Sequence, residues 1–209
     1  MIQIETFQLG SLAANCYVVW DDTENKCMII DPGGDPAEVA AFCRDRSLNP
    51  SMIIATHGHF DHIAGTAPLK KEWDVPFCVS SLDEIHYRNM KVQAELFGCG
   101  PVAEAPSPDI DLCDKNEIGG GRLLFSVIPT PGHSQGSVTF RLQDFLFCGD
   151  SVFRGSIGRT DIPGGDMDQL MDSIRSGILS IESGLLLPGH GPATDVASEK
   201  KYNPFFADI

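Results

Sequence analysis

Basic residues are scarce in this chain of 209 residues. Lysine and arginine together number 15 against 29 aspartates and glutamates, which gives a formal net charge of -14 at pH 7. Nucleic acids and anionic membranes attract clustered Lys and Arg, so neither is expected as the main partner. A small anionic substrate remains compatible with this charge, because a local cationic site can act against the global field.

Long apolar runs and paired cysteines are also missing. No stretch approaches the roughly 20 apolar residues that cross a bilayer. Residues 1–7 have neither the basic segment nor the apolar core of a signal peptide. The seven cysteines are odd in number and show no C-x-x-C pair, so we expect reduced, mostly buried thiols. We therefore expect a soluble, cytoplasmic protein without a membrane partner, and the sequence leaves its oligomeric state open.

Internal repeats, low-complexity tracts and domain boundaries are not found in the sequence. The Gly-rich segments match neither the G-x-x-x-x-G-K phosphate loop nor a dinucleotide fingerprint. A chain of this length, with 42% hydrophobic residues, can bury a substantial core. We predict a single domain over residues 1–209.

What the sequence does contain is a set of histidines in short Gly-rich turns. Five of the six histidines fall at residues 56–62, 131–134 and 188–191, each time after an apolar run. A fourth turn, at residues 148–151, supplies Asp150 in the same kind of place. Side chains that carry function are often presented where a rigid element ends in a loop. This pattern predicts a metal site.

Strand patterns alternate with helical patterns along the chain. Residues 52–55 are continuously apolar, which is typical of a strand buried on both faces. Residues 22–25 resemble the turn of a hairpin. Strands are predicted at residues 2–7, 15–20, 27–30, 52–55, 123–128, 137–142, 145–147 and 185–187. The interleaving with helices predicts a layered α/β fold.

Three helices and one long loop are predicted. Asp35 should cap the first helix, with Pro36 at its first position and Glu38 completing a capping box. The other two helices are expected at residues 81–97, with Leu82, Ile85 and Leu96 among the apolar positions, and at residues 166–179. The Gly- and Pro-rich residues 98–108 are expected to form a loop that covers the site.

The ligand-type residues are enough to hold two divalent ions. Zinc takes histidine nitrogens and carboxylate oxygens, and iron and manganese are alternatives at such mixed sites. His57 and His59 lie two residues apart, so in an extended segment they point the same way and can hold one ion. The predicted metal ligands are His57, His59, Asp61, His62, His133, Asp150 and His190.

Two metal ions also predict a nucleophile. Ions about 3.5 to 4 Å apart can stabilise both the attacking oxygen and the substrate oxygen, and they lower the pKa of bound water to about 7. We expect a metal-bridging hydroxide that Asp61 orients as well as ligates. Asp31 is predicted to fix the orientation of the histidine ligands without itself binding metal. A role in capping the turn at Pro32 and Gly33 is equally compatible with the sequence.

The same motifs resemble a known family. T-H-x-H-x-D-H at residues 56–62, Pro-Gly-His at 131–133, Gly-Asp-Ser at 149–151 and Gly-His-Gly at 189–191 are similar to those of metallo-β-lactamase fold hydrolases. The resemblance extends from residue 15 to residue 205. Residues 149–153, 155–161 and 163–166 look like the short glyoxalase II-like branch of that superfamily.

This resemblance implies a fold, a ligand assignment and an activity. The fold is a four-layer αβ/βα sandwich with the metals at one end. The activity is hydrolysis of a small-molecule thioester such as S-lactoylglutathione. Larger glyoxalase II enzymes hold glutathione partly with a C-terminal helical domain, whereas only 19 residues (209 minus 190) follow the last histidine here. The implied ligands are His57, His59 and His133 on one metal and Asp61, His62 and His190 on the other, with Asp150 between them.

Several residues outside the ligand set have two interpretations. Arg159 could bind a substrate carboxylate or form a salt bridge with Asp161. Lys200 and Lys201 could meet an anionic substrate or lie on a solvated surface. His86 lies outside every motif and is expected to be a packed or surface residue.

Other functions compete with thioester hydrolysis. A mononuclear iron persulfide dioxygenase of a related branch looks similar around residues 158–161, and metal content and oxygen uptake would distinguish it. A hydrolase of another small ester or lactone fits the same ligands. A secreted β-lactamase is disfavoured by the aspartate at 150, and nucleic-acid hydrolysis is disfavoured by the charge of -14. A non-catalytic metal-binding module is disfavoured by the complete ligand set.

Overall fold

Two six-stranded sheets form the body of the fold in a computed structural model that describes residues 1–207. The first sheet contains, in spatial order, β1 (Ile2–Leu9), β2 (Ala14–Asp21), β3 (Lys26–Ile30), β4 (Asn49–Ile54), β5 (Phe77–Val79) and β6 (Ile110–Asp111). The second is built from β7 (Glu117–Gly120), β8 (Leu123–Pro129), β9 (Val138–Leu142), β10 (Phe145–Gly149), β13 (Leu185–Pro188) and β14 (Thr194–Asp195), in the spatial order β14-β13-β10-β9-β8-β7. A separate hairpin is formed by β11 (Val152–Phe153) and β12 (Ser156–Ile157).

Helices cover the outer face of each sheet. The α-helices are α1 (Ala37–Asp45), α2 (Phe60–Ile63), α3 (Thr66–Trp73), α4 (Glu84–Arg88), α5 (Met90–Leu96), α6 (Met167–Ser173) and α7 (Val196–Tyr202). Short 3₁₀ segments occupy Ser81–Asp83 and Pro204–Phe206, and a π-helical turn occupies Ile174–Ile178. None of the helices within residues 1–207 is both long and apolar enough to cross a membrane.

Three apolar clusters hold these layers together. The central cluster lies between the sheets and contains Tyr17 and Phe147. A second packs the other face of the first sheet against helices, with Val18 among its members. The third packs the second sheet against α6 and α7, through Leu146 and Leu170. Alternate residues of a strand face opposite sides, so each inner strand contributes to two clusters. The predicted four-layer αβ/βα sandwich is thereby confirmed.

Strand direction explains why one edge of the sandwich collects the loops of interest. Strands β3 to β6 are parallel, and β10 is parallel to β13. Because β9 is antiparallel to both β8 and β10, β8 runs in the same direction as β10. The carboxyl ends of β8, β10 and β13 therefore meet at one edge. At that edge the sheets are joined directly, since the Val138 N–H donates to the Thr56 carbonyl at 2.8 Å.

The prediction of one helix over residues 81–97 was wrong. The segment consists of a 3₁₀ turn, α4 and α5, with a break at Asn89, where φ is -111° and ψ is 24°. Its apolar residues Leu82, Ile85 and Leu96 are 58%, 65% and 80% exposed. The buried face is instead formed by Asp83, His86, Met90 and Ala94. Hydrophobic spacing failed here because polar side chains occupy the inner face.

Two other local predictions need correction. Helix α1 begins at Ala37, whose N–H donates to the Asp35 carboxylate at 3.1 Å, but within residues 1–207 no hydrogen bond from Glu38 completes the predicted capping box. Residues 98–108 do form a loop without regular secondary structure. This loop does not line the cavity at the histidines; Cys99 and Pro101 border a neighbouring cleft.

The other predicted strands and helices agree with the structure to within a few residues, whereas helices α3 and α7 and strands β5 and β7 were not predicted. The hairpin at residues 22–25 connects β2 and β3, and the helix predicted at 166–179 is α6 continued by the π-helical turn. The cysteines are all free thiols, as predicted. Those that are buried are Cys16, Cys27, Cys43, Cys78 and Cys148.

Candidate metal centre

Four loops at the shared edge bring together the seven residues that the sequence predicts as metal ligands. The segment after β4 carries two histidines and leads into α2, which carries an aspartate and a histidine. One further residue follows each of β8, β10 and β13. The structure thereby assembles a single His–Asp cluster from His57, His59, Asp61, His62, His133, Asp150 and His190.

Two groups of three residues in the cluster share no member, namely His57, His59, His133 and Asp61, His62, His190. A third group, His57, His62 and Asp150, takes one residue from each of them and adds a carboxylate. In every group, one ligand-type atom per residue lies within 4.8 Å of the others. Asp150 Oδ2 lies 3.6 Å from His133 Nε2, and Asp150 Oδ1 lies 3.5 Å from His62 Nε2. A carboxylate in this position faces both groups at once.

Hydrogen bonds on the outer side of the imidazoles set their orientation. Nδ1 of His133 donates to the Arg159 carbonyl at 2.8 Å, and Nδ1 of His190 donates to the Leu12 carbonyl at 3.1 Å. Carbonyl oxygens only accept, so the proton of each neutral ring resides on Nδ1. Nε2 of each ring therefore presents a lone pair to the cluster, as expected of metal-binding histidines.

Asp31 orients two more histidines. Its carboxylate accepts the Thr56 N–H at 2.7 Å and the Thr56 hydroxyl at 2.6 Å, and Oδ2 lies 3.1 Å from His62 Nδ1. Because the Thr56 hydroxyl proton is given to Asp31, Oγ1 is free to accept from His57 Nδ1, 3.1 Å away. Asp31 therefore fastens the turn after β4 and orients two histidines, and within residues 1–207 its carboxylate makes no hydrogen bond that caps the turn at Pro32 and Gly33.

The donor atoms suit bound cations. His57 Nε2 and Asp150 Oδ1 are buried and have no hydrogen-bond partner in the described chain. His59 Nδ1 faces His133 Nε2 at 2.9 Å, and the Nε2 atoms of His62 and His190 are 3.3 Å apart. Facing imidazole nitrogens repel each other unless a proton or a metal ion lies between them. Nitrogen and carboxylate donors in this mixture fit zinc, iron or manganese.

Electrostatics favour the same use of the cluster. Burial, reinforced by the neighbouring imidazoles, holds the pKa of His57 and of His59 well below the usual value, so both rings are neutral. Burial also lowers the pKa of His62, but the charges of Asp61 and Asp150 and the contact with Asp31 raise it to about 10. The carboxylates thus attract positive charge into the cluster, which is a proton on His62 when no metal is bound.

Gly189 allows the end of β13 to approach the cluster. A Cβ added at this position would lie 2.1 Å from Asp150 Oδ1 and 2.7 Å from His62 Cε1. Every other residue type would therefore displace a carboxylate and an imidazole of the cluster. The glycine before His190 is required by close packing against side chains distant in sequence.

Asp83 is a buried carboxylate that no sequence motif indicates. It is 0% exposed, and it accepts the Gly58 N–H at 2.8 Å, the Ser134 hydroxyl at 2.8 Å and the Gly136 N–H at 2.7 Å. These donors belong to the loop of His57 and His59 and to the loop of His133. Asp83 therefore fastens two parts of the cluster to each other. No local sequence motif identifies Asp83, because its hydrogen-bond partners are 25 to 53 residues away in the sequence.

His86 also lies at the site, although no motif includes it. Its ring centroid is 4.5 Å from that of His59, and the side chain is 5% exposed. His86 is therefore a packed residue, as one of its two expected environments, but it packs against His59, which belongs to the cluster. Burial holds its pKa below the usual value. Nothing in the linear pattern around residue 86 indicates this position.

A cavity of about 520 Å³ opens onto the cluster. Arg159 lines it, and the predicted salt bridge is present, since Nε and Nη2 donate to Asp161 at 2.8 and 3.0 Å. Neither Lys200 nor Lys201 lines the cavity: the Lys200 amine donates to the Ile181 carbonyl, and the Lys201 amine lies over the Tyr202 ring. The structure gives no support to substrate binding by these two lysines.

The family follows from comparison with known proteins. Residues 9–190 match the metallo-beta-lactamase superfamily, a span that includes every residue of the His–Asp cluster. The chain belongs to the metallo-β-lactamase superfamily. Members of this superfamily that resemble the chain over nearly its whole length include both curated proteins and solved structures.

Among the relatives is the "Probable metallo-hydrolase YqgX" of Bacillus subtilis, 35% identical over 204 residues that cover 94% of each chain. Another is the "Hydroxyacylglutathione hydrolase GloC" of Haemophilus influenzae, 34% identical over 209 residues that cover 98% of each. Among solved structures, the BLEG-1 B3 metallo-beta-lactamase has a TM-score of 0.91 at 34% identity, covering 98% of this chain and 100% of the other. TTHA1623 in a di-iron-bound form has a TM-score of 0.88 at 35% identity, covering 96% and 99%.

Proposed function

We propose that this protein is a metal-dependent thioester hydrolase that acts on small molecules such as S-lactoylglutathione. The observation that carries the proposal is the His–Asp cluster, with two groups of three donors and Asp150 within 3.6 Å of both. The similarity to a hydroxyacylglutathione hydrolase over 98% of the chain supports the choice of thioester. The similarity to a di-iron-bound structure supports two metal ions per chain.

The proposed centre would hold one ion on each of the groups His57, His59, His133 and Asp61, His62, His190. Zinc is the metal we expect, with iron or manganese as alternatives, because all three accept histidine and carboxylate ligands. Two such ions, when bound, supply a Lewis acid for the carbonyl oxygen and water of lowered pKa as the nucleophile. The assignment is His57, His59 and His133 to the first ion, Asp61, His62 and His190 to the second, and Asp150 to both.

The residues of the chain have distinct tasks in this reaction. Asp61 is held ionised, because His62 and His190 keep its pKa below the usual range in spite of burial. An ionised carboxylate can accept a hydrogen bond from the attacking water, so we assign to Asp61 the orientation of the nucleophile. Thr56 and Asp31 hold the rings of His57 and His62 from behind. A thiolate leaves readily, since thiols have a pKa near 8.5, so no residue is assigned to protonate it.

The proposal is tested by hydrolysis of S-lactoylglutathione with protein of known metal content. We expect two metal ions per chain and turnover that depends on them. One iron per chain, with oxygen consumed on glutathione persulfide, would replace the proposal with a persulfide dioxygenase. Lack of turnover of thioesters, lactones and phosphoesters by the fully metallated protein would instead indicate a non-catalytic module.

A further inference from the structure

We infer that the substrate of this site carries an apolar acyl group of several methylenes, in preference to a short hydroxyacyl group. The inference rests on the proposed thioester hydrolysis and names the class of substrate within it. It is carried by the walls of the cavity at the His–Asp cluster, which are apolar and in part exposed.

The cavity has the cluster at its base and hydrocarbon on its sides. Asp61, His133 and His190 face its interior. The sides include Leu12, Leu96 and Phe97, which are 36%, 80% and 47% exposed. When a ligand covers large apolar side chains that are exposed beside a cavity, their removal from water makes binding more favourable. The volume of about 520 Å³ lies within the range typical of small-molecule sites.

The apolar walls begin directly at the cluster. The Phe153 ring centroid is 6.3 Å from that of His190. On the other side, the Phe97 ring is 6.0 Å from the Phe60 ring, and Phe60 is followed at once by Asp61. A thioester whose carbonyl lies at the cluster would therefore lay its acyl chain along aromatic and aliphatic surface.

Two of the polar side chains on the walls, those of Arg159 and Gln93, are already paired within the protein. Among the described residues that line the cavity, Arg159 is the one lysine or arginine, and its guanidinium is bound by Asp161. The Gln93 amide donates to the His86 carbonyl at 2.7 Å. A polar substituent on the acyl chain would lose its water and find few free partners, which costs free energy. A methylene has no such cost.

The inference is tested with a series of glutathione thioesters that share one leaving group. Straight-chain acyl groups from acetyl to hexanoyl are compared with S-lactoylglutathione on the metallated protein. Each methylene buried on the walls should raise kcat/KM about fourfold, equivalent to about 0.8 kcal/mol. We expect S-hexanoylglutathione to be the best substrate of the series. The inference would be overturned if kcat/KM did not change with acyl length, or if kcat/KM were higher for S-lactoylglutathione than for every alkanoyl thioester. Either result would leave the proposed thioester hydrolysis intact.

Two variants assign the effect to the walls. Leu96→Ser and Phe153→Ser should each reduce the gain per methylene, and Leu96 is so exposed that its loss should not disturb folding. Leu124→Ser is the matched control, because Leu124 is 43% exposed and does not line the cavity; it should retain the wild-type gain. An unchanged gain in both wall variants would contradict the inference.

A binding measurement decides the inference without turnover. S-hexylglutathione and S-methylglutathione are not hydrolysed and differ only in alkyl length. Calorimetry should give at least tenfold tighter binding of the hexyl compound, with a more negative heat-capacity change. Equal affinities would overturn the inference. Absence of turnover with every thioester would overturn the proposed function, and this comparison would still be decisive for the walls.

Discussion

Four of the five imidazoles of the proposed centre are held through their second nitrogen. Backbone carbonyls of Arg159 and Leu12 hold His133 and His190, and the Thr56–Asp31 pair holds His57 and His62. Such partners fix the tautomer, and their loss typically costs 10- to 100-fold in metal affinity or activity. The exception is His59, whose Nδ1 faces the cluster and His133.

His59→Ala removes a proposed ligand of one ion. We expect metal content to fall by about one ion per chain and kcat to fall by about 100-fold or more, with the fold retained, because His59 is only one of seven donors. Metal analysis and circular dichroism measure these effects. Wild-type metal content and turnover would count against the assignment.

Asp83→Asn tests the carboxylate that joins two loops of the cluster. An amide presents one oxygen and one NH₂, so at least one of the three present donors would lose its acceptor. We expect the free energy of unfolding to fall by about 1–3 kcal/mol and metal affinity to fall by about 10- to 100-fold.

The control for this variant is Asp172→Asn. The Asp172 carboxylate is 80% exposed, so the same chemical change should alter stability by less than about 0.5 kcal/mol. Denaturant titration and competition with a chelator measure both quantities. Equal behaviour of the two variants would show that Asp83 does not fasten the cluster.

At the scale of elements, the site depends on where strands end. The carboxyl ends of β8, β10 and β13 share one edge, so a residue placed one to four positions after each strand is brought to the cluster. Local sequence is sufficient to find those residues, because a strand and the glycine that ends it are close in sequence. The approach between two strand ends is not local, and it imposes the requirement for glycine at position 189.

Gly189→Ala should disturb the cluster while Gly120→Ala should not. The added Cβ at position 189 would overlap Asp150, whereas an added Cβ at position 120 would meet no atom within 4 Å. Overpacking of this kind costs about 1–3 kcal/mol, and we expect loss of metal and activity as well. Thermal unfolding and metal analysis compare the pair. A Gly189→Ala protein with normal metal content would refute the close approach.

For the whole molecule, the proposed centre joins the two sheets. His57 and His59 follow a strand of the first sheet, while His133, Asp150 and His190 follow strands of the second. Ions held in common would therefore stabilise the assembled sandwich. Ligand at 100 times its dissociation constant contributes about 2.7 kcal/mol to a folded protein. In a chain of this length, 1 kcal/mol corresponds to about 2–4 °C in Tm.

Removal of metal should lower Tm by about 5–10 °C, with recovery on adding metal back. Differential scanning calorimetry with and without a chelator measures the change. His59→Ala provides the comparison, since its response to the chelator should be smaller. An identical Tm in both conditions would contradict a centre that links the sheets.

Metal uptake should strengthen as pH rises. His62, with a pKa raised to about 10, carries a proton near neutral pH in the metal-free protein, whereas the lowered pKa of His57 leaves that ring neutral. Binding must displace the proton on His62, so apparent affinity should rise about tenfold per pH unit below that pKa. Chelator competition at two pH values one unit apart measures the slope. A pH-independent affinity would contradict protonation of His62.

Much of the fold and all seven residues of the cluster were predictable, because strands, their terminal glycines and the side chains after them form short local patterns. Asp83 and His86 were not, since each acts on loops distant in sequence. In the same segment the apolar residues Leu82 and Ile85 are exposed, so hydrophobic spacing gave the wrong inner face.

The amino-acid sequence by itself determines which side chains follow the strand ends at the edge of the sandwich, because this depends only on neighbours along the backbone. Which carboxylate fastens the loops, which glycine permits the approach and which apolar surfaces line the cavity depend on distances between separate strands and helices. Those distances are set only when the two sheets pack together. For the same reason, only the tertiary structure shows that Arg159 lines the cavity and that Lys200 and Lys201 do not.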